Sequence, residues 1–146
     1  MKNYIKILIF LLGVFCLALI RYFENEIFYD PLIEFYDGKF HLNPFPDLKF
    51  WLYNFAITAR YFLNTLISLI IIWFIFKNKS YIKFSILLYS IFFIIGISIF
   101  WILVINIQPK DYMFLFYVRR FLIQPLLLII LLPAFYFQKL NKKVSN

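Results

Sequence analysis

Apolar residues fill four stretches of the chain, at residues 5–22, 50–76, 84–107 and 114–137, and most polar and charged residues gather in the segments between them. Crossing a hydrocarbon slab of about 30 Å takes about 20 helical residues, so each stretch is long enough to span once. Within lipid every backbone N–H and C=O must be satisfied inside the structure, and these stretches cannot close a β-barrel, so each is a helix. The pattern predicts an all-α polytopic membrane protein, a four-transmembrane-helix bundle forming a single integral membrane domain over residues 1–146. The third stretch carries no charge, the second contains Arg60, and the fourth contains Arg119 and Arg120 early and Pro125 and Pro133 later.

Composition agrees with the pattern. Of the 146 residues, 64% are hydrophobic and 15% charged, with a mean hydropathy of +0.85. A water-soluble core could not hide that much apolar surface. The formal charge of +8 does not point to nucleic acid, because most of the lysines sit just outside apolar stretches. There they orient helices and attract anionic headgroups, so membrane lipids are the expected partners. Lys2, Lys6, Lys77, Lys79, Lys83, Lys139, Lys142 and Lys143 flank one side of the four spans, against Lys39, Lys49 and Lys110 on the other. Lysine and arginine in short loops stay in the cytoplasm, which predicts cytoplasmic N- and C-termini. The opening Lys2, Lys6 and apolar run resemble a signal peptide, but Arg21, Tyr22 and Phe23 follow where a small-residue cleavage site belongs, so an uncleaved first span is expected.

The first outer loop, residues 23–49, is the one extramembrane segment long enough for structure of its own. Asp30 followed by Pro31, with Gly38 past the end, reads as a short capped helix over residues 31–37. Its aromatic and aliphatic residues, with Phe28 and Tyr29 just before it, predict an interfacial helix lying on the membrane.

Candidate chemistry rests on four arginines. Arg21 ends the first span, Arg60 lies roughly 13 Å inside the outer end of the second at 1.5 Å per residue, and Arg119 and Arg120 lie one to two turns inside the fourth. An arginine at the centre of a membrane helix costs about 2.5–3.5 kcal/mol, so Arg60 needs a partner or a wet cavity. Arg60, Asn64 and Ser68 share a face at i, i+4 and i+8, and Arg120 and Gln124 are spaced i, i+4. Glu24, Glu26 and Asp30 are the nearest counter-charges. These residues predict an outer-side cluster of Arg21, Glu24, Glu26, Asp30, Arg60, Asn64, Arg119, Arg120 and Gln124 that ties the first loop over the second and fourth helices. Arg119 and Arg120 point about 100° apart, and the alignment with Gln124 selects Arg120 as the interior one. Snorkelling to lipid phosphates is the simpler account of Arg21.

No catalytic group emerges. Cys16 and His41 are the single cysteine and histidine, which argues against a metal site or an intramolecular disulfide, and no glycine-rich phosphate loop or Ser-His-Asp arrangement occurs. Cys16 in apolar surroundings reads as a packing residue, and His41 as a solvated loop residue. No cofactor is expected. Pro125 and Pro133 free the carbonyls of Phe121 and Ile129, which predicts a kink rather than an opened, ligand-binding helix.

Three strings, RYFENEIFYDP at 21–31, RYFLNT at 60–65 and FYVRRFLIQP at 116–125, resemble the exosortase F system-associated membrane proteins, and the likeness extends over nearly the whole chain. The resemblance implies a place in a bacterial inner membrane beside exosortase F, a cysteine-protease-like enzyme that processes C-terminal sorting signals. It therefore implies a non-enzymatic accessory subunit that contacts exosortase F or its substrates' membrane segments. The enzyme's own Cys, Arg and His constellation is not reproduced by Cys16 and His41. The residues themselves leave a second expectation open: a small membrane protein whose arginines bind an anionic lipid headgroup or another anion, with or without enzymatic activity.

Overall fold

A computed structural model describes residues 2–39 and 42–145, with only the backbone at Asn25; His41 lies outside the described residues. The described chain is all-helical: α1 (Asn3–Tyr22), α2 (Glu24–Ile27), α3 (Pro31–Asp37), α4 (Phe50–Phe76), α5 (Lys79–Ile105), a 3-10 turn (Pro109–Asp111), α6 (Tyr112–Ile123) and α7 (Leu126–Val144). Three helices, α1, α4 and α5, are long and apolar enough to cross a membrane, and α6 with α7 makes up to a fourth if the bent pair counts as one span.

That pair corrects the expectation of one kinked helix over residues 114–137. The chain breaks at Gln124 and Pro125, and the two helices meet at 58°. Pro125 has no N–H to continue the ladder. Pro133, by contrast, sits inside α7 without ending it.

α4 is the central helix, packed against α1, α5, α6 and α7. Its buried face changes character along its length: Tyr53, Ala56 and Ile57, then Arg60, Asn64 and Ser68, then Ile71, Ile72 and Phe76. Two apolar cores follow from this order. One gathers Leu32, Phe35, Tyr53, Ile57, Phe100, Tyr112, Leu115 and Leu122 at the end covered by the first loop. The other gathers Ile71, Ile72, Phe76, Tyr81, Tyr89, Leu128, Leu131 and Phe135 toward the end where α1 begins and α7 ends. The polar stripe of α4 lies between them. α1 is different: it buries no residue fully and packs chiefly on α4.

Turn chemistry explains the loop ends. The Asp30 side chain accepts from the Leu32 N–H, Pro31 takes the first helical position, and α3 stops at Asp37. Leu32 and Phe35, expected to face lipid, are buried inside the protein instead. Lys77 ends α4 in the left-handed region at φ 50°, and Asn78 caps α5 through the Ser80 N–H.

Candidate functional site: a buried arginine and carboxylate layer

Asp30 holds the site together, and its two carboxylate oxygens divide the work. Oδ1 accepts from the Leu32 N–H and so starts α3, while Oδ2 accepts from Arg60 Nη1 at 2.8 Å and from Arg119 Nη2. The three side chains come from the first loop, α4 and α6, and each is almost wholly buried, at 3%, 3% and 6% exposure for Asp30, Arg60 and Arg119. Two guanidinium charges on one carboxylate leave a net positive charge. Glu24 reduces it, with Oε2 4.0 Å from Arg60 Nη1 and 18% of its side chain exposed. The Phe28 ring lies 5.0 Å from the Arg60 guanidinium carbon and adds cation–π attraction.

Hydrogen bonds continue the layer inward. Asn64 Nδ2 donates to the Ile123 carbonyl at 2.8 Å, at the end of α6 where the break removes the helical partner. Ser68 Oγ donates back to the Asn64 carbonyl at 2.6 Å. Tyr53, 1% exposed, lies close to Arg119. The Tyr36 hydroxyl donates to the Tyr112 carbonyl at 2.8 Å, and burial pushes its phenol above the ordinary value while the Arg119 charge pulls the other way.

Arg119 and Arg120 exchange the roles expected of them. Arg119 is interior at 5% exposure, whereas Arg120 is exposed and donates through Nε to Gln124 Oε1 at 2.9 Å. The i, i+4 spacing does bring Arg120 to Gln124, but a pair that satisfies itself on its own helix has no need of the interior. Arg119 has no such neighbour and takes its partner from the loop.

Beside the layer is a cavity of about 350 Å³ lined by Arg21, Arg119, Arg120 and Gln124 together with Glu24 and Asp37. Arg21 is exposed at its rim. Arg119 Nε and Arg60 Nε and Nη2 are buried and make no hydrogen bond among the described residues. Glu26 is exposed and joins no ion pair among them. Of the nine expected cluster residues, Asp30, Arg60 and Arg119 form the buried core, Glu24 flanks it and Asn64 extends it. Arg21, Arg120 and Gln124 border the cavity, and Glu26 stands apart. The parts the sequence did not place in the cluster are Phe28 and Tyr36, which it assigned to the membrane interface, Tyr53 and the Ile123 carbonyl. The break at Pro125 was the available signal for the last of these.

Cys16 is partly buried and unpaired, and no group of three or more metal-binding side chains occurs among the described residues. Models of known families, curated proteins and solved structures were all compared with this chain, and none matches it.

Proposed function

We propose that this chain is a non-enzymatic accessory subunit of a bacterial exosortase system, resident in the inner membrane with four spans and both termini in the cytoplasm. In this reading α6 and α7 together make the fourth span, and α3 rests at the outer surface. One observation carries the proposal. The three strings that resemble exosortase F system-associated proteins are far apart in sequence, and the bonds from Asp30 to Arg60 and Arg119, with that from Asn64 to Ile123, tie all three together. A constellation drawn from three segments, with no cysteine, serine or histidine bonded to its charged groups among the described residues, suits a rigid structural tie better than a reaction centre.

The partner is exosortase F or the membrane segment of its substrates. A pull-down of the tagged full chain from its native membrane in mild detergent, with mass spectrometry of what is retained, tests this. Recovery of exosortase from wild type and its loss from Arg120→Ala, which alters the exposed rim and not the buried core, is the expected result. Recovery of no sorting enzyme removes the proposal.

The cavity favours a second reading, an anion site. Arg21, Arg119 and Arg120 line it, and the buried Arg119 Nε makes no hydrogen bond among the described residues. Guanidinium groups suit a carboxylate or phosphate. Retention of a defined lipid or small anion, without exosortase, is the outcome that would select this reading.

A further inference from the structure

The opposite end of the bundle holds a second, larger cavity. α1 begins, α4 ends and α7 ends around a space of about 590 Å³. Lys6 of α1 and Lys139 and Lys143 of α7 line it, and Ile7, Ile75 and Leu140 are among its apolar walls. Lys6 and Lys139 are partly buried, and Lys139 feels the like charges of both Lys6 and Lys143. Independent snorkelling lysines would move apart into the interface. Here three lysines from two helices line one space, close enough for Lys139 to feel both other charges.

Among the described residues no carboxylate side chain lines this cavity. The chain has seven acidic residues, Glu24, Glu26, Asp30, Glu34, Asp37, Asp47 and Asp111, and all lie in the loops at the other end. No acidic side chain of the described residues compensates the charge there. Apolar surface leads away from it: Ile7 in the wall is followed one turn on by exposed Leu11, and Leu140 in the wall is itself exposed. Charge at one end and an apolar track at the other match the two parts of an anionic phospholipid, and a basic pocket between membrane helices is a known way to hold such a headgroup.

We propose that this cavity binds the phosphate of an anionic phospholipid, with Lys6, Lys139 and Lys143 as its cationic ligands and the acyl chains laid along Ile7 and Leu11. The site is independent of the exosortase reading. Free phosphate shares the recognised chemistry, and the apolar walls are what distinguish the lipid.

The test is thermal unfolding of the purified full chain in detergent, titrated in turn with cardiolipin, phosphatidylglycerol, phosphatidylcholine and inorganic phosphate. The anionic lipids should raise Tm saturably, by roughly 10 °C at a hundredfold excess over the dissociation constant, and phosphatidylcholine should not. Lys6→Gln/Lys139→Gln/Lys143→Gln should lose the shift. Lys77→Gln/Lys79→Gln/Lys83→Gln removes the same charge at the same end without touching the cavity, and should keep it. Because the first triple relieves repulsion, its lipid-free Tm should not fall, and Lys139→Gln alone should give a partial loss. An equal shift with inorganic phosphate would retain phosphate binding by the lysines but overturn the lipid assignment. Equal losses in the two triples, or no saturable shift in wild type, would overturn the site itself.

Discussion

Asp30 and Arg119 are separated by 89 residues and joined by a buried hydrogen-bonded ion pair, with Arg60 on the same carboxylate oxygen. The arrangement fixes a loop to two helices at once. In lipid an arginine cannot be left alone, and a single acid from the first loop answers two of them. The same acid starts α3, so the start of that helix and the neutralisation of the layer depend on one side chain.

Asp30 substitutions should separate these two jobs. Asn caps a helix about as well as Asp, so Asp30→Asn keeps α3 but leaves two buried guanidinium groups facing a neutral amide. Removing one member of a buried ion pair costs about 3–5 kcal/mol. Asp30→Ala should cost about 1 kcal/mol more, because the cap is lost as well. Unfolding in detergent measures both, and a mild effect of Asp30→Asn would show that the carboxylate charge is not what holds the layer.

Adjacent arginines should behave in opposite ways. Arg119→Gln removes the charged hydrogen bond from α6 to Asp30 and the packing of a side chain that is 6% exposed, and should lower Tm measurably although Arg60 still pairs Asp30. Arg120→Gln loses only a contact on the exposed face and should leave Tm nearly unchanged. Similar losses in the two variants would contradict the interior placement of Arg119.

Much of this layer is legible in the sequence because membranes make polar residues conspicuous. Arg60, Asn64 and Ser68 repeat every four residues within an apolar stretch, and that spacing identifies the buried face of α4 without any structure. Asp30 and Pro31 announce a helix start in the same direct way. Spacing fails for Arg119 and Arg120, since both lie among apolar residues and only a tertiary partner decides between them. The local partner of Arg120 was a cue to exposure, and it reads as burial only if every polar pair is assumed to face the bundle. The break before Pro125 was missed for a related reason. Proline removes a donor in any membrane helix, but whether the helix bends or opens depends on what satisfies the freed groups, and Asn64 sits on another helix.

Asn64 and Pro125 should therefore be coupled. Asn64→Leu strips the partner from the Ile123 carbonyl and should cost about 0.6–1.7 kcal/mol, the span measured for hydrogen bonds between membrane helices. In a Pro125→Ala background α6 can continue, and the Leu127 N–H can reach the Ile123 carbonyl in the ordinary helical pattern. The cost of Asn64→Leu should shrink there. A double-mutant cycle on Tm measures the difference, and strict additivity would mean that Asn64 does not serve the break.

Gly13 sets how closely α1 approaches α4. A methyl group there would overlap Ile71 Cδ1 and lie 2.6 Å from its Cγ1, and Ile71 is 1% exposed. Small residues let membrane helices pack closely, and α1 has no fully buried side chain to compensate for lost contact. Gly13→Ala should thus loosen α1, at about 1–3 kcal/mol if Ile71 cannot move aside. Ile71→Ala removes both Cδ1 and Cγ1, the two obstructing atoms, and should cost about 2–5 kcal/mol on its own. The two together should cost less than their sum. Protease susceptibility of the segment joining α1 to α3, read beside Tm, locates the effect: cleavage should rise in Gly13→Ala and fall back in the double variant. A Gly13→Ala protein as stable and as resistant as wild type would show that α1 does not pack on α4 through this contact.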